Sequence, residues 1–205
     1  MKLATLLLIA FVYISSFGFA QSVSIGTQTW TTKNLDVATF RNGDAIPEAK
    51  TNEEWQAAME NNKPAWCYYN NDLKNGTKYG KLYNMDAVND ARGLAPTGFH
   101  IPSPQEWHVL STFLGGYDVV DKKMKSNSGW LNSNGTNSSG FSGLPGGCRY
   151  YDGYFDNVGM GGYWWSSDMV QNGPYICGSE LVWLHQLRSR GTTQSPSFSV
   201  RCVKN

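Results

Sequence analysis

The four residues Ser103-Pro104-Gln105-Glu106 leave little freedom for the chain that follows them. Serine at a helix N-cap accepts from an end amide, and proline suits the first helical position because it has no amide to lose. Glutamate at the third position reaches back to the cap. Trp107, Leu110 and Leu114 then recur at i, i+3 and i+7, which makes one apolar face. Gly115-Gly116 supplies the left-handed stop. A second capping box, Thr51-Asn52-Glu53-Glu54, opens a helix running to about Glu60. Trp55 and Met59, four apart, face the core, and Asn61-Asn62-Lys63-Pro64 ends the helix.

The rest of the chain is read around these two anchors. Residues 23–31 alternate around Gly26 and predict a hairpin. Residues 65–69 read as a strand, 70–77 as a loop, and 79–83 as the start of another short element. Residues 95–98 are a turn, 119–125 a further short helix, and the Ser/Asn/Gly-rich residues 127–139 a surface loop. After Phe141, aromatic clusters alternate with glycine, and residues 197–203 form an alternating closing strand. Helices lie mostly early and short strands late, so the expected class is α+β.

The N-terminus carries Lys2 and then no charge to Ala20, with Gly18 and Ala20 small. This pattern predicts a secretory signal at residues 1–20, cleaved before Gln21, and a single domain over 21–205. Export to the periplasm, the cell surface or the medium follows. No later stretch is apolar enough to span a membrane. The formal net charge of the whole chain is +1, and removing Lys2 leaves it near zero. That argues against a nucleic-acid partner, which wants a basic face. Four cysteines, Cys67, Cys148, Cys177 and Cys202, in an exported chain read as two disulfides with three possible connectivities. Their spacings are too wide for a local zinc knuckle.

No complete catalytic constellation is present. His100, His108 and His185 have no second ligand at metal spacing, and no Gly-x-Ser-x-Gly elbow occurs. No metal or cofactor is expected. Asp152, Asp156 and Asp168 are isolated acidic residues, more often solvated than calcium-binding. Arg201 alternates with Val200 and Cys202, so it turns inward as a structural tie needing a carboxylate. The remaining candidates are aromatic. Tyr150, Tyr151, Tyr154, Trp164 and Trp165 offer flat apolar area with polar handles, suited to stacking on sugar rings. Neighbours in a strand point to opposite faces, so at most one of Trp164 and Trp165 is expected in a one-sided core. A loop covers the other or leaves it exposed.

The ordered blocks Tyr79-Gly80-Lys81-Leu82-Tyr83-Asn84, Ala87-Val88-Asn89-Asp90 and Arg92-Gly93-Leu94-Ala95-Pro96-Thr97-Gly98-Phe99-His100-Ile101-Pro102-Ser103 resemble the Fibrobacter succinogenes major paralogous domain. Glu106-Trp107, Gly140-Phe141-Ser142, Leu144-Pro145-Gly146-Gly147, Tyr163-Trp164-Trp165-Ser166-Ser167 and Phe198-Ser199-Val200-Arg201-Cys202-Val203 continue the likeness, which covers nearly the whole chain after residue 20. That family has no assigned reaction. More distantly, the block order is similar to the formylglycine-generating-enzyme type of C-type-lectin-like fold. This implies a small twisted antiparallel sheet, two flanking helices and long irregular loops. The family resemblance pairs Cys67 with Cys202, leaving Cys148 and Cys177 for each other.

Two activities suggested by that fold are not carried over. The tripeptides of calcium-dependent lectins are missing, and the oxidase needs a close cysteine pair that Cys177 lacks. The expectation is therefore a non-catalytic exported binding or structural module. It would recognise a glycan or a cell-surface protein through loops between Gly115 and Gly191. The alternatives are an enzyme on the same fold, a metal-dependent oxidase or hydrolase, and a structural subunit of a surface assembly.

Overall fold

A computed structural model describes residues 21–167 and 196–205, together with the backbone of the strand Tyr175–Gly178. Residues 1–20, where a secretory signal is expected, lie outside the described residues, as do Asp168, His185 and the side chain of Cys177.

The chain opens with β1 (Ser22–Ile25) and β2 (Gln28–Thr31), a hairpin turning at Gly26, whose φ is +61°. Next comes α1 (Asn52–Glu60), then β3 (Trp66–Cys67) and a single 3-10 turn at Tyr69–Asn71. They are followed by α2 (Leu73–Tyr79), β4 (Leu82–Tyr83), α3 (Met85–Val88) and β5 (Phe99–His100). Helices α4 (Pro104–Phe113) and α5 (Tyr117–Met124) precede β6 (Gly146–Arg149), β7 (Phe155–Val158), β8 (Gly161–Trp164), β9 (Tyr175–Gly178) and β10 (Val203–Lys204).

Both capping boxes form as the sequence dictates. Thr51 accepts from the Glu54 amide and Ser103 from the Glu106 amide, and each glutamate returns a bond to its cap. Trp107, Leu110 and Leu114 are all buried, and Gly115 and Gly116 take φ of +106° and +88°. The expected loop at 70–77 is instead largely α2. Its sequence is a poor helix former, with Asn75 and Gly76 inside it. A local cap and a close packing contact hold it. Asp72 caps it through the Lys74 amide, and Gly76 lies so close to Tyr68 that a Cβ there would stand 2.3 Å from the ring. The closing strand is shorter than its alternation predicts. Residues 197–199 make single bridges to Arg149, Tyr83 and Trp164 in turn, and only Val203–Lys204 joins a ladder.

The main sheet has the antiparallel order β1-β2-β10-β5. Val203 pairs with Trp30 on one side and His100 on the other, so the last strand is central and ties the N-terminal hairpin to β5. The remaining strands form pairs: β3 with β4, β6 with β7, and β8 with β9. The class is thus α+β with small antiparallel sheets. No helix among the described residues is long and apolar enough to cross a membrane.

The interior divides into three apolar clusters. One gathers Phe40, Trp66, Tyr83, Trp165, Phe198 and Val200. The second holds Trp30, Trp107, Leu110, Phe141 and Trp164. The third, under α1, holds Trp55, Cys67, Tyr69 and Leu82. Trp164 and Trp165 obey strand alternation, but each face meets a core. Both are fully buried, and both indole N–H groups are satisfied, Trp164 by Asn34 Oδ1 at 2.8 Å and Trp165 by the Tyr83 carbonyl at 2.8 Å. The expectation of a one-sided core is therefore corrected: two clusters flank this segment, and neither indole is free to meet a ligand.

The expected Cys67–Cys202 bridge is not formed, whereas the expected Cys148–Cys177 pairing involves a Cys177 side chain outside the described residues. Cys67, Cys148 and Cys202 are free buried thiols. Cys67 belongs to the cluster under α1, whereas Cys148 and Cys202 belong to that of Trp165. Separate packing, not a bridge, accommodates the Cys67 and Cys202 side chains.

Candidate functional site

The exposed aromatic chemistry gathers on the β6–β7 hairpin. Its register sets Cys148 opposite Asp156 and Arg149 opposite Phe155. Side chains alternate along a strand, so the hairpin has two different faces. On the inner face, Arg149 is fully buried. It stands 4.6 Å from the ring centroids of both Trp55 and Phe155 and donates to the carbonyls of Ala49, Thr51 and Gly153. The charge is spread over backbone dipoles and ring faces, and the hairpin is tied to the start of α1.

The turn between the strands is built by short-range bonds. The Tyr150 amide donates to the Tyr154 carbonyl at 2.8 Å, and the Tyr154 amide donates to Asp152 Oδ1 at 3.1 Å. Gly153 has φ of +86°, and a Cβ there would stand 2.4 Å from Asn52 Oδ1. Helix α1 docks alongside. Trp55 Nε1 donates to the Tyr150 carbonyl, Gln56 donates to the Asp152 carbonyl, and the Tyr151 hydroxyl donates to Glu60 at 2.9 Å. A capped helix and a pinned turn thus hold Tyr150, Tyr151 and Tyr154 in place.

The outer face carries Cys148, Tyr150, Tyr154 and Asp156, with Tyr163 of β8 beside them. The Tyr150 and Tyr154 rings are nearly parallel, 13° apart with centroids at 6.5 Å. Tyr154 is 63% exposed, Tyr150, Tyr163 and Asp156 are half-buried, and Cys148 forms the buried floor. Asp156 is oriented by its neighbour. Asn157 has φ of +63°, which brings its amide to Asp156 Oδ1 at 2.8 Å and its side-chain nitrogen to Oδ2 at 3.1 Å.

The electrostatics of this face are consistent with neutral phenols and a neutral thiol around one carboxylate. Burial pushes Tyr150 up to about 12, and the nearby Cys148 and Asp156 add to it. Burial also raises Tyr163, helped by Cys148, Tyr150 and Asp156. Cys148 is pushed up to about 12 by burial and then by Asp156.

Of the sequence-predicted ligand residues, the structure brings Tyr150, Tyr151 and Tyr154 together on this hairpin and removes Trp164 and Trp165 to the core. Sequence reasoning missed Tyr163, and weighed Asp156 only as an isolated calcium candidate. Asp152-Gly153 between two tyrosines was the overlooked signal, since Asp-Gly between alternating segments marks a hairpin and so fixes which residues share a face.

The other polar constellations are structural. His100 Nε2 lies 2.7 Å from Glu106 Oε1, and the Ser103 hydroxyl donates to Glu106 Oε2 at 2.8 Å. Serine and histidine share one carboxylate on opposite oxygens instead of facing each other, so the group secures the start of α4 and lacks the geometry of a nucleophile and its base. His108 meets the Tyr117 hydroxyl on the exposed surface at 3.2 Å. Lys81 is buried against Asp36, the Tyr68 hydroxyl and the Trp66 ring. Arg201 turns inward as expected, and its described partners are the carbonyls of Thr31, Phe141 and Ser142 with Asn34 Oδ1. Among the described residues, no group of three or more His, Cys, Asp or Glu is placed to hold a metal ion.

Compared with known proteins, residues 23–204 match the family described as the Fibrobacter succinogenes major domain. No curated protein and no solved structure matches the chain.

Proposed function

The chain belongs to the Fibrobacter succinogenes major domain family, and on that premise we propose that it is an exported, non-catalytic binding module. Its partner is a glycan or a cell-surface protein, and its fold is the C-type-lectin-like one. The observation that carries this reading is the pair of nearly parallel rings of Tyr150 and Tyr154 at the tip of a rigidly pinned hairpin. Tyrosine presents a large apolar face with a hydroxyl at its edge, and it loses little rotamer freedom on binding. A ring left 63% exposed at Tyr154, in a chain whose large aromatics are otherwise mostly buried, fits contact with a partner better than packing.

Export is read from residues 1–20, whose sequence follows the secretory pattern. The lectin-like fold is supported by the small antiparallel sheet closed by the last strand and by the long irregular connections. The test is a glycan array and a cell-surface pull-down with protein beginning at Gln21, run beside Tyr154→Ala. Capture that falls in the variant is the expected result. Capture unaffected by Tyr154→Ala would overturn the reading, and so would silence in both assays with turnover of a substrate.

A further inference from the structure

The outer face of the β6–β7 hairpin carries a carboxylate that has no ion-pair partner among the described residues. Asp156 is half-buried on the strand face it shares with Tyr150 and Tyr154, its charge is felt by Tyr150 and Tyr163, and its described contacts are the two bonds from Asn157. Among the described residues, no lysine, arginine or histidine pairs with it, although the ion pairs elsewhere involve Asp36, Asp44, Asp90 and Asp121. The nearest strand cation, Arg149, points through the opposite face and is taken up by carbonyls and rings. Each oxygen of Asp156 keeps a lone pair that Asn157 does not fill.

A half-buried carboxylate with open acceptor sites is well suited to a charged donor, whose hydrogen bonds to it are stronger than neutral ones. The rings around it are phenols, whose faces are electron-rich. Cys148 beneath is held as the neutral thiol by burial, so it brings no competing charge. We infer that this face binds an alkylammonium group. The cation sits at Asp156 and takes its second interaction from the faces of Tyr150 and Tyr154, with the Tyr163 hydroxyl nearby. The inference rests on the binding-face reading above and names the chemical group that the face selects.

The test is a calorimetric titration of the protein beginning at Gln21 with tetramethylammonium, and with neutral tert-butanol as its apolar counterpart. Saturable binding of the cation alone is expected, weakened roughly tenfold or more in Asp156→Asn, which keeps the shape but removes the charge. Tyr154→Ala is expected to weaken it as well, since exposed cation–ring contacts contribute measurably. Equal binding of tert-butanol, or no change in Asp156→Asn with its fold intact by circular dichroism, would overturn the inference. The natural sources are separated by glucosamine, with N-acetylglucosamine as its neutral control, and by Nα-acetyl-lysine amide. Tighter binding of either amine assigns the source, and equal binding of the sugar amine and its acetylated control counts against the inference.

The two readings fail separately. Partner capture lost in Tyr154→Ala but retained in Asp156→Asn, with no ammonium binding, leaves the binding face and removes the ammonium site. Ammonium binding that depends on Asp156, with capture unchanged in both variants, does the reverse.

Discussion

Arg201 Nε donates to Asn34 Oδ1 at 2.6 Å, across 167 positions of sequence. The same oxygen accepts from Trp164 Nε1 at 2.8 Å, and the Asn34 side-chain nitrogen donates to the Tyr79 carbonyl at 2.8 Å. One asparagine thus joins the N-terminal region, the end of α2, β8 and the closing segment. Arg201→Met removes the donors from three carbonyls and from Asn34 at once. It is expected to cost about 3–5 kcal/mol, as losses of buried charged hydrogen-bond networks do. Arg201→Lys should not rescue it, because one ammonium cannot reproduce a planar fork. Urea unfolding checks this, with a fall in midpoint at unchanged slope.

Trp165→Ala should cost about 3–5 kcal/mol, the usual range for emptying a large aromatic from a core. Trp164→Phe should be milder and leave a folded protein. The prediction that matters for function is that Trp164→Phe leaves partner capture unchanged, because its indole is buried against Asn34 and Phe141. Capture lost with the fold intact would return Trp164 to the ligand surface.

Gly147 has φ of +68°, and a Cβ there would stand 2.5 Å from the Asp156 carbonyl and 2.8 Å from the Tyr69 ring. Gly147→Ala therefore combines backbone strain with a clash against backbone. A loss of more than about 2 kcal/mol is expected. Since the clash falls on Asp156, ammonium binding should weaken as well. A variant as stable as the parent in thermal melts would show that the hairpin is more yielding than this geometry allows.

Burial pushes Cys67, Cys148 and Cys202 each up to about 12 from an ordinary value of 9.0. A thiol whose folded value is raised contributes stability that is complete below the unfolded value. That contribution is lost as pH rises through the folded value. Stability should therefore fall between about pH 9 and pH 12. At pH 8 these three thiols should resist alkylation in the native protein and react on unfolding, which peptide mapping reads directly. Rapid native labelling of Cys67, or a Cys67–Cys202 peptide under non-reducing conditions, would contradict the packing.

Ser103→Ala should cost about 1 kcal/mol, the usual value of a lost N-cap. Burial raises the Glu106 carboxyl, but bonds from the Ser103 backbone, His100 and the Ser103 hydroxyl outweigh it and leave it below its usual range. A depressed carboxyl contributes stability above its unfolded value, and that contribution is lost as pH falls through the folded value. Glu106→Gln should flatten the acid limb of the stability profile below about pH 4.5, the ordinary glutamate range. An unchanged limb would mean that the carboxylate is not what holds the start of α4.

The parts of the fold legible in sequence are those whose forces act within a few residues. The caps at Thr51 and Ser103, the glycine stop after α4 and the hairpin at Gly26 all appear where expected. Helix α2 was hard to read because Asn75 and Gly76 are poor helix formers; its Asp72 cap is local, but the packing of Tyr68 against Gly76 appears only in the folded chain. The candidate site was half legible. Tyr150 and Tyr154 announce themselves by composition, but nothing in their spacing reveals that Asp156 shares their face with no ion-pair partner among the described residues.

The sequence by itself determined the local ends of elements, the inward turn of Arg201 and the family. These follow from backbone satisfaction, from alternation and from ordered blocks of residues. Only the tertiary structure decided that Trp164 and Trp165 are both interior, because a segment flanked by two cores buries both of its faces. It also decided that Cys67 and Cys202 sit in separate clusters and that Arg149 and Asp156, seven positions apart, occupy opposite faces of one hairpin. Burial and charge balance depend on what lies across the fold, and no window along the chain contains that.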